Sequence, residues 1–222
     1  MESVVVVAGP GSSFAEELRS LHGSQTLEAV IARQHGKVSC KEYGNFLPEL
    51  WDHAKKNAIA SEFVASDAFH QSVADKNWSV ITSSISGGHR MAGSSSVVET
   101  YGSLFRAKCL RCGHESPMTT DCYLSLDEGQ VPACLSCGKN RTRPDFSIGD
   151  EGMRCRRKAD KLLRSANTII YAGVDPHGAG PEMSWYRKVP YSVLVSENSW
   201  GSFDRHFEGS VAEWVSAGVP AH

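Results

Sequence analysis

The chain has 222 residues, 41% of them hydrophobic and 22% charged, with a formal net charge of −2. That length carries one large domain or a domain with a small insert, and the charge balance offers no overall field for nucleic acid or an anionic membrane. Nothing approaches the run of roughly 18 apolar residues that a membrane-spanning helix requires.

Met1 to Ala8 has no basic segment and carries Glu2, so it reads as a buried strand rather than an export signal. The β-branched run Val4–Ala8 leads into Gly9-Pro10-Gly11-Ser12-Ser13, a small-residue turn after a strand. Helical spacing follows over Phe14–Leu21, then from a Thr26 cap to about Arg33. Between Tyr43 and Ala74 the pattern is again helical, with Phe46, Leu50, Ala54 and Ala58 near one stripe. Trp78–Thr82 is predicted as a second strand, and Ser83–Ser96, rich in Ser and Gly, as loop.

Two Cys-x-x-Cys knuckles come next, Cys109/Cys112 and Cys134/Cys137, each followed by glycine. Four thiolates in two tight turns close a tetrahedral zinc shell, which leaves no site for water or substrate. The metal is therefore expected to be structural, and the segment around it too small to hold a core alone. Cys40, Cys122 and Cys155 read as plain thiols. Thiols kept for a metal, with no export signal, point to a reducing intracellular compartment.

Beyond the knuckles, Met153–Ala166 is predicted as a basic helix and Thr168–Ala172 as a strand. A helix near Pro181–Arg187, a strand at Tyr191–Val195 and a last helix from about Gly209 to Ala217 complete the order. Short apolar strands alternating with helices imply an α/β fold with a parallel sheet covered on both faces. Ligands of such sheets bind at the carboxyl ends of the strands.

Several stretches together resemble the sirtuin family, in collinear order over nearly the whole chain. Val97 to Cys109 is similar to the segment carrying the family's catalytic histidine before the first zinc cysteine. Ile81 to Gly93 is similar to its nicotinamide-side motif, and Gly9 to Ser13 to its phosphate loop. Arg143-Pro144-Asp145 and the ending from Phe203-Asp204 to Glu213 also match. The resemblance implies a Rossmann-type NAD domain formed by residues 1–102 and 147–222, with a first helical insert at about 24–76. It further implies a zinc-ribbon domain at 103–146, and acyl-lysine substrates held in the cleft between the two. By the same resemblance Gly9, Gly11, Ser13, Ser84 and Gly173 fall at dinucleotide-contacting positions.

The departures from the family pattern fall on the chemistry. Tyr101 stands where the family has the histidine that acts as base on the NAD ribose. A phenol with pKa near 10 is ionised in about one molecule in a thousand at pH 7. Ser83, Ser84 and Ser86 replace a Gln, an Asn and an Asp. Ala15 to Arg19 gives an acidic start where a Pro-Asp-Phe-Arg element is expected, and acids there oppose a pyrophosphate. Ile148-Gly149-Asp150 replaces Phe-Gly-Glu, and Gly173-Val174-Asp175 replaces Gly-Thr-Ser.

The expected function is thus a degenerate sirtuin scaffold that binds a protein partner or sits in an assembly, with NAD binding open to loss. The alternative is an atypical NAD-dependent protein-lysine deacylase or ADP-ribosyltransferase in which Tyr101 or His89 handles protons. His114 follows a knuckle but adds nothing to a complete shell of four thiolates. The basic run from Arg154 to Arg164 reads as a solvated helix face, so nucleic acid is not an expected partner. The five tryptophans suit core packing or a partner surface.

Overall fold

The computed structural model describes residues 3–9, 42–65, 67–147, 153–174 and 185–219. Gly11, Ser13, the helices expected at Phe14–Leu21 and from Thr26, Cys40, Ile148-Gly149-Asp150 and Asp175 lie outside them.

Strand β1 (Val4–Ala8) is buried along its whole length. It sits between β2 (Ser79–Thr82) and β7 (Thr168–Ala172) in a parallel sheet of order β3-β2-β1-β7-β8-β9, where β3 is Val97–Glu99, β8 Tyr191–Ser196 and β9 Arg205–Glu208. Successive side chains of a strand point to opposite faces, and each face has its own core. Val4, Val6 and Ala8 join Ile170, Ala172, Val193 and Val195 on one side. There they meet Phe69 and Val73 of α2 (Ala68–Asp75) and Trp214 of α6 (Val211–Ser216). Val5 and Val7 join Ile169, Tyr171 and Leu194 on the other, against Ala159 and Leu163 of α5 (Arg156–Arg164). A sheet apolar on both faces is the α/β arrangement that the strand–helix alternation implies.

The second sheet is antiparallel, β5-β4-β6, built from β4 (Gly102–Cys109), β5 (Glu115–Pro117) and β6 (Thr142–Phe146). Its apolar face does not depend on metal alone. Leu104, Ala107, Phe146 and Tyr123 (from α4, Thr120–Leu124) pack on Leu47, Leu50, Trp51 and Ala54 of α1 (Leu47–Ala65). Trp51 Nε1 donates to the Thr142 carbonyl at 2.9 Å, so the helical insert serves as the floor of the small sheet.

Four local expectations change. The Ser83–Ser96 stretch contains a short helix, α3 (Gly88–Met91), started by Gly87 at φ +71°. The basic helix is shorter at both ends, Arg156–Arg164. Only a 3-10 turn, Trp185–Arg187, stands among the described residues where a helix near Pro181–Arg187 is expected. β9 has no apolar run because it is the half-exposed edge of the sheet, where charged residues are favoured.

Candidate active-site cleft and metal centre

The chain runs outward from β1 through β2 to β3, then returns to the other side of β1 at β7. This switch of direction opens a crevice at the carboxyl ends of β1 and β7. Gly9 and Gly173 meet there: Gly9 N donates to the Ala172 carbonyl at 3.0 Å, and a Cβ on Gly9 would lie 2.2 Å from the Gly173 oxygen. Only glycine fits that approach. Ser83 N donates to the Ala8 carbonyl at 3.2 Å, which brings the loop after β2 to the same edge. Of the predicted nucleotide-contacting residues, Gly9, Gly173 and Ser84 thus follow three strands that end together.

The hydroxyls of that loop are turned on one another. Ser84 N donates to Thr82 Oγ1 at 3.0 Å, Ser84 Oγ pairs with Ser86 Oγ at 2.9 Å, and Ser86 N donates to Ser84 Oγ at 3.3 Å. Ser86 is buried. These short side chains tie the loop to itself, and Ser86 carries no charge with which to polarise a ligand.

Tyr101 lies just past β3, where the chain passes from the large sheet into β4. Thr100 N donates to the Thr82 carbonyl at 2.9 Å and Ser147 N to the Tyr101 carbonyl at 2.7 Å, so both sheets fix this turn. Gly102 follows at φ +85°, with the Asp145 oxygen 2.1 Å from any Cβ it would carry. Tyr101 is half-buried, and burial pushes its phenol above the ordinary value of 10. The phenol is protonated at neutral pH.

His89 is buried beside the cleft loop, where it lines a small pocket with Thr82, Ser84 and Ser86. It is 3% exposed, and its ring packs on His70 at 4.3 Å and edge-on to Phe69 at 5.5 Å. Burial, reinforced by His70, holds it well below the usual histidine range. Packed on His70 and Phe69 of α2, this imidazole is held neutral. His114 is exposed on the small sheet, beside a knuckle already supplied with thiolates.

The sequence alone did not single out an ionic brace under this turn. Glu99 Oε2 accepts from Arg90 Nε at 3.1 Å and Arg106 Nη1 at 2.7 Å. Arg106 Nε reaches Asp145 Oδ2 at 3.2 Å, and Arg154 also pairs with Asp145. The chain of pairs joins α3, β3, β4 and β6 around Tyr101. Residues this far apart in sequence carry no spacing signal; the single hint was an acid inside an otherwise apolar Val97-Val98-Glu99.

At the far end of β4 the Sγ atoms of Cys109, Cys112, Cys134 and Cys137 all lie within 4.8 Å of one another. Cys109 to Cys137 is 3.7 Å and Cys112 to Cys134 is 3.6 Å. A tetrahedron with zinc–sulfur bonds of about 2.3 Å has edges of about 3.8 Å. The backbone N–H groups of Cys112 and Arg111 pull the Cys109 thiol down, toward the thiolate that a metal needs, while burial and the neighbouring thiols push Cys112 up. The four residues fit a structural zinc. Among the described residues no other cluster of this kind occurs, and no helix is long and apolar enough to cross a membrane.

A model of the Sir2 family matches residues 19–176. The NAD-dependent protein deacetylase of Clostridium acetobutylicum is 31% identical over 191 residues, covering 77% of this chain and 72% of that protein. Among solved structures, a sirtuin studied for the basis of its substrate affinity superposes with a TM-score of 0.77 at 19% identity, covering 97% of this chain and 92% of the other. A Sir2 bearing a histidine-to-tyrosine substitution, with p53 peptide and NAD, gives a TM-score of 0.69 at 20% identity, covering 98% and 94%.

Proposed function

The chain belongs to the Sir2 family, and from that premise we propose that it works by binding rather than by turnover. It is a zinc-braced scaffold for a protein partner, with a cleft that does not carry out deacylation. The observation that carries this reading is Tyr101. By the family resemblance it occupies the place of the ribose base, and burial raises its pKa further from neutrality. Each pKa unit above 7 costs about 1.4 kcal/mol to ionise, so a phenol near or above 10 starts at a disadvantage of about 4 kcal/mol.

Among the described residues, neither His89 nor Ser86 is placed to stand in for the family's base. His89 is enclosed by His70 and Phe69, and Ser86 pairs with Ser84. The crevice beside Gly9 and Gly173 remains the place for a nucleotide phosphate, approached by backbone rather than side chains. A bound NAD would supply the nicotinamide–ribose bond that the family cleaves. In this chain Ser84 brings only a hydroxyl to the edge of that crevice. A histidine-to-tyrosine Sir2 is known with both p53 peptide and NAD, so in that protein the exchange does not close the cleft to either ligand. Binding without reaction is therefore compatible with the family's architecture. The four cysteines hold zinc with no open position, so the metal braces the small sheet and takes no part in proton transfer.

The test is nicotinamide release from NAD in the presence of an acetyl-lysine peptide and the zinc-loaded chain. The proposal expects the rate seen without protein. Sustained release that disappears in Tyr101→Phe would overturn it in favour of an NAD-dependent deacylase or ADP-ribosyltransferase using the phenol. A thermal shift with millimolar NAD reports separately whether the crevice still takes nucleotide.

A further inference from the structure

The outer face of α5 is built against its own stability. Its sequence Arg156-Arg157-Lys158-Ala159-Asp160-Lys161-Leu162-Leu163-Arg164 buries Ala159 and Leu163 and leaves all five cations exposed. Arg157 and Lys161 are four residues apart, Lys158 and Lys161 three, and Lys161 and Arg164 three, so like charges are neighbours on one surface. The first turn holds three cations and no acid, at the end where the helix dipole is positive. Its N-cap, Cys155, sits at φ +56° with no side-chain cap bond. Among the described residues none of Arg157, Lys158, Lys161 or Arg164 forms an ion pair.

Two further features extend this face. Arg157, Lys161 and Arg164 line a surface depression of ≈ 380 Å³ together with Asp160 and Ser165. Lys188 Nζ lies 4.7 Å from the centre of the Trp185 ring and Arg164 5.8 Å from it, so the cationic strip continues off the helix onto the Trp185 turn. α5 carries net +4 in a chain of net −2, which leaves −6 on everything else. Such segregation breaks a local rule of helix design, and among the described residues Arg157, Lys158 and Lys161 have no ion pair to offset it, as happens at surfaces kept for a partner.

We infer that the exposed face of α5 docks a short acidic segment of a protein partner. Carboxylates alongside Arg157, Lys161 and Arg164 would relieve the like-charge repulsion and accept the paired N–H bonds a guanidinium offers. Nine residues of helix span about 14 Å, the reach of roughly four residues of extended peptide at about 3.3 Å each. A long polyanion fits less well. A nucleic-acid duplex would extend past this strip into a field made by the remaining −6. The inference concerns a surface separate from the crevice chemistry and stands whether or not the cleft turns over.

The experiment is fluorescence anisotropy with the full zinc-loaded chain and a labelled octaglutamate peptide, at 50 and 200 mM salt, without NAD or acyl peptide. Binding that weakens with salt, and that falls at least tenfold in the double variant Arg157→Glu/Lys161→Glu, is expected. Both side chains are exposed and unpaired, and the change relieves like charges along α5, so the melting temperature should not fall. The charge-keeping Arg157→Lys/Lys161→Arg should retain affinity. No binding, equal binding by the reversed variant, or tighter capture of a duplex DNA of the same charge would each overturn the assignment.

Discussion

Glu99→Gln tests the ionic brace on which the position of Tyr101 depends. The substitution keeps the shape of the side chain and removes the charge shared by Arg90 and Arg106. The Glu99 side chain is 2% exposed, whereas Arg90 is 48% and Arg106 34% exposed. Removing one member of a fully buried pair costs about 3–5 kcal/mol; solvent at the two guanidiniums reduces this, and about 2–3 kcal/mol is the expected loss. For a chain of this size each kcal/mol moves the melting temperature by about 2–4 °C, so a fall of roughly 4–12 °C should appear in calorimetry or denaturant unfolding. Arg106 also holds Asp145, so a cycle with Asp145→Asn should give a coupling of about 1 kcal/mol or more. A loss below about 1 kcal/mol, or strictly additive variants, would refute a connected brace between the two sheets.

Chelation of zinc, or Cys134→Ser, should take metal content from about one ion per chain to near zero and lower the melting temperature by on the order of 5 °C. Because Leu104, Phe146 and Tyr123 pack on α1, the large sheet and the β4–α1 contact should survive, which hydrogen exchange resolves strand by strand. Acid should weaken the fold in a defined window. Burial lowers the His70 pKa from 6.5 to about 4, so between those values the unfolded chain binds more protons and stability rises with pH. Stability is full above about 6.5 and falls as pH drops toward 4, by about 3 kcal/mol from His70. Denaturant unfolding across that range should show the slope, and His70→Gln should reduce it, leaving the share of His53 and His89, which burial also lowers; an unchanged slope would remove His70 as a source.

The zinc centre was legible because its four ligands come as two short turns whose geometry is set by local covalent spacing. β1, β2, β7 and β8 were legible for a related reason: a strand buried on both faces is a near-continuous apolar run, as in Val4–Ala8 and in Ile169 to Ala172 of β7. β9 escaped because an edge strand needs neither. His89 was legible as a residue and not as a role. Next to Gly87 and Gly88 it reads as open loop, yet a left-handed Gly87 starts a helical turn that rotates the ring onto Phe69 and His70.

The apolar strands of the large sheet, the thiolate set, and a tyrosine at position 101 were present in the chain as text, because each depends on residues close in sequence. Three things required the folded molecule. The floor that α1 gives the small sheet, the Arg90–Glu99–Arg106–Asp145 brace, and the enclosure of His89 are made by residues on different elements, from 7 to 91 positions apart. Their energies come from burial and from charge brought within about 3 Å, quantities that no one-dimensional pattern encodes.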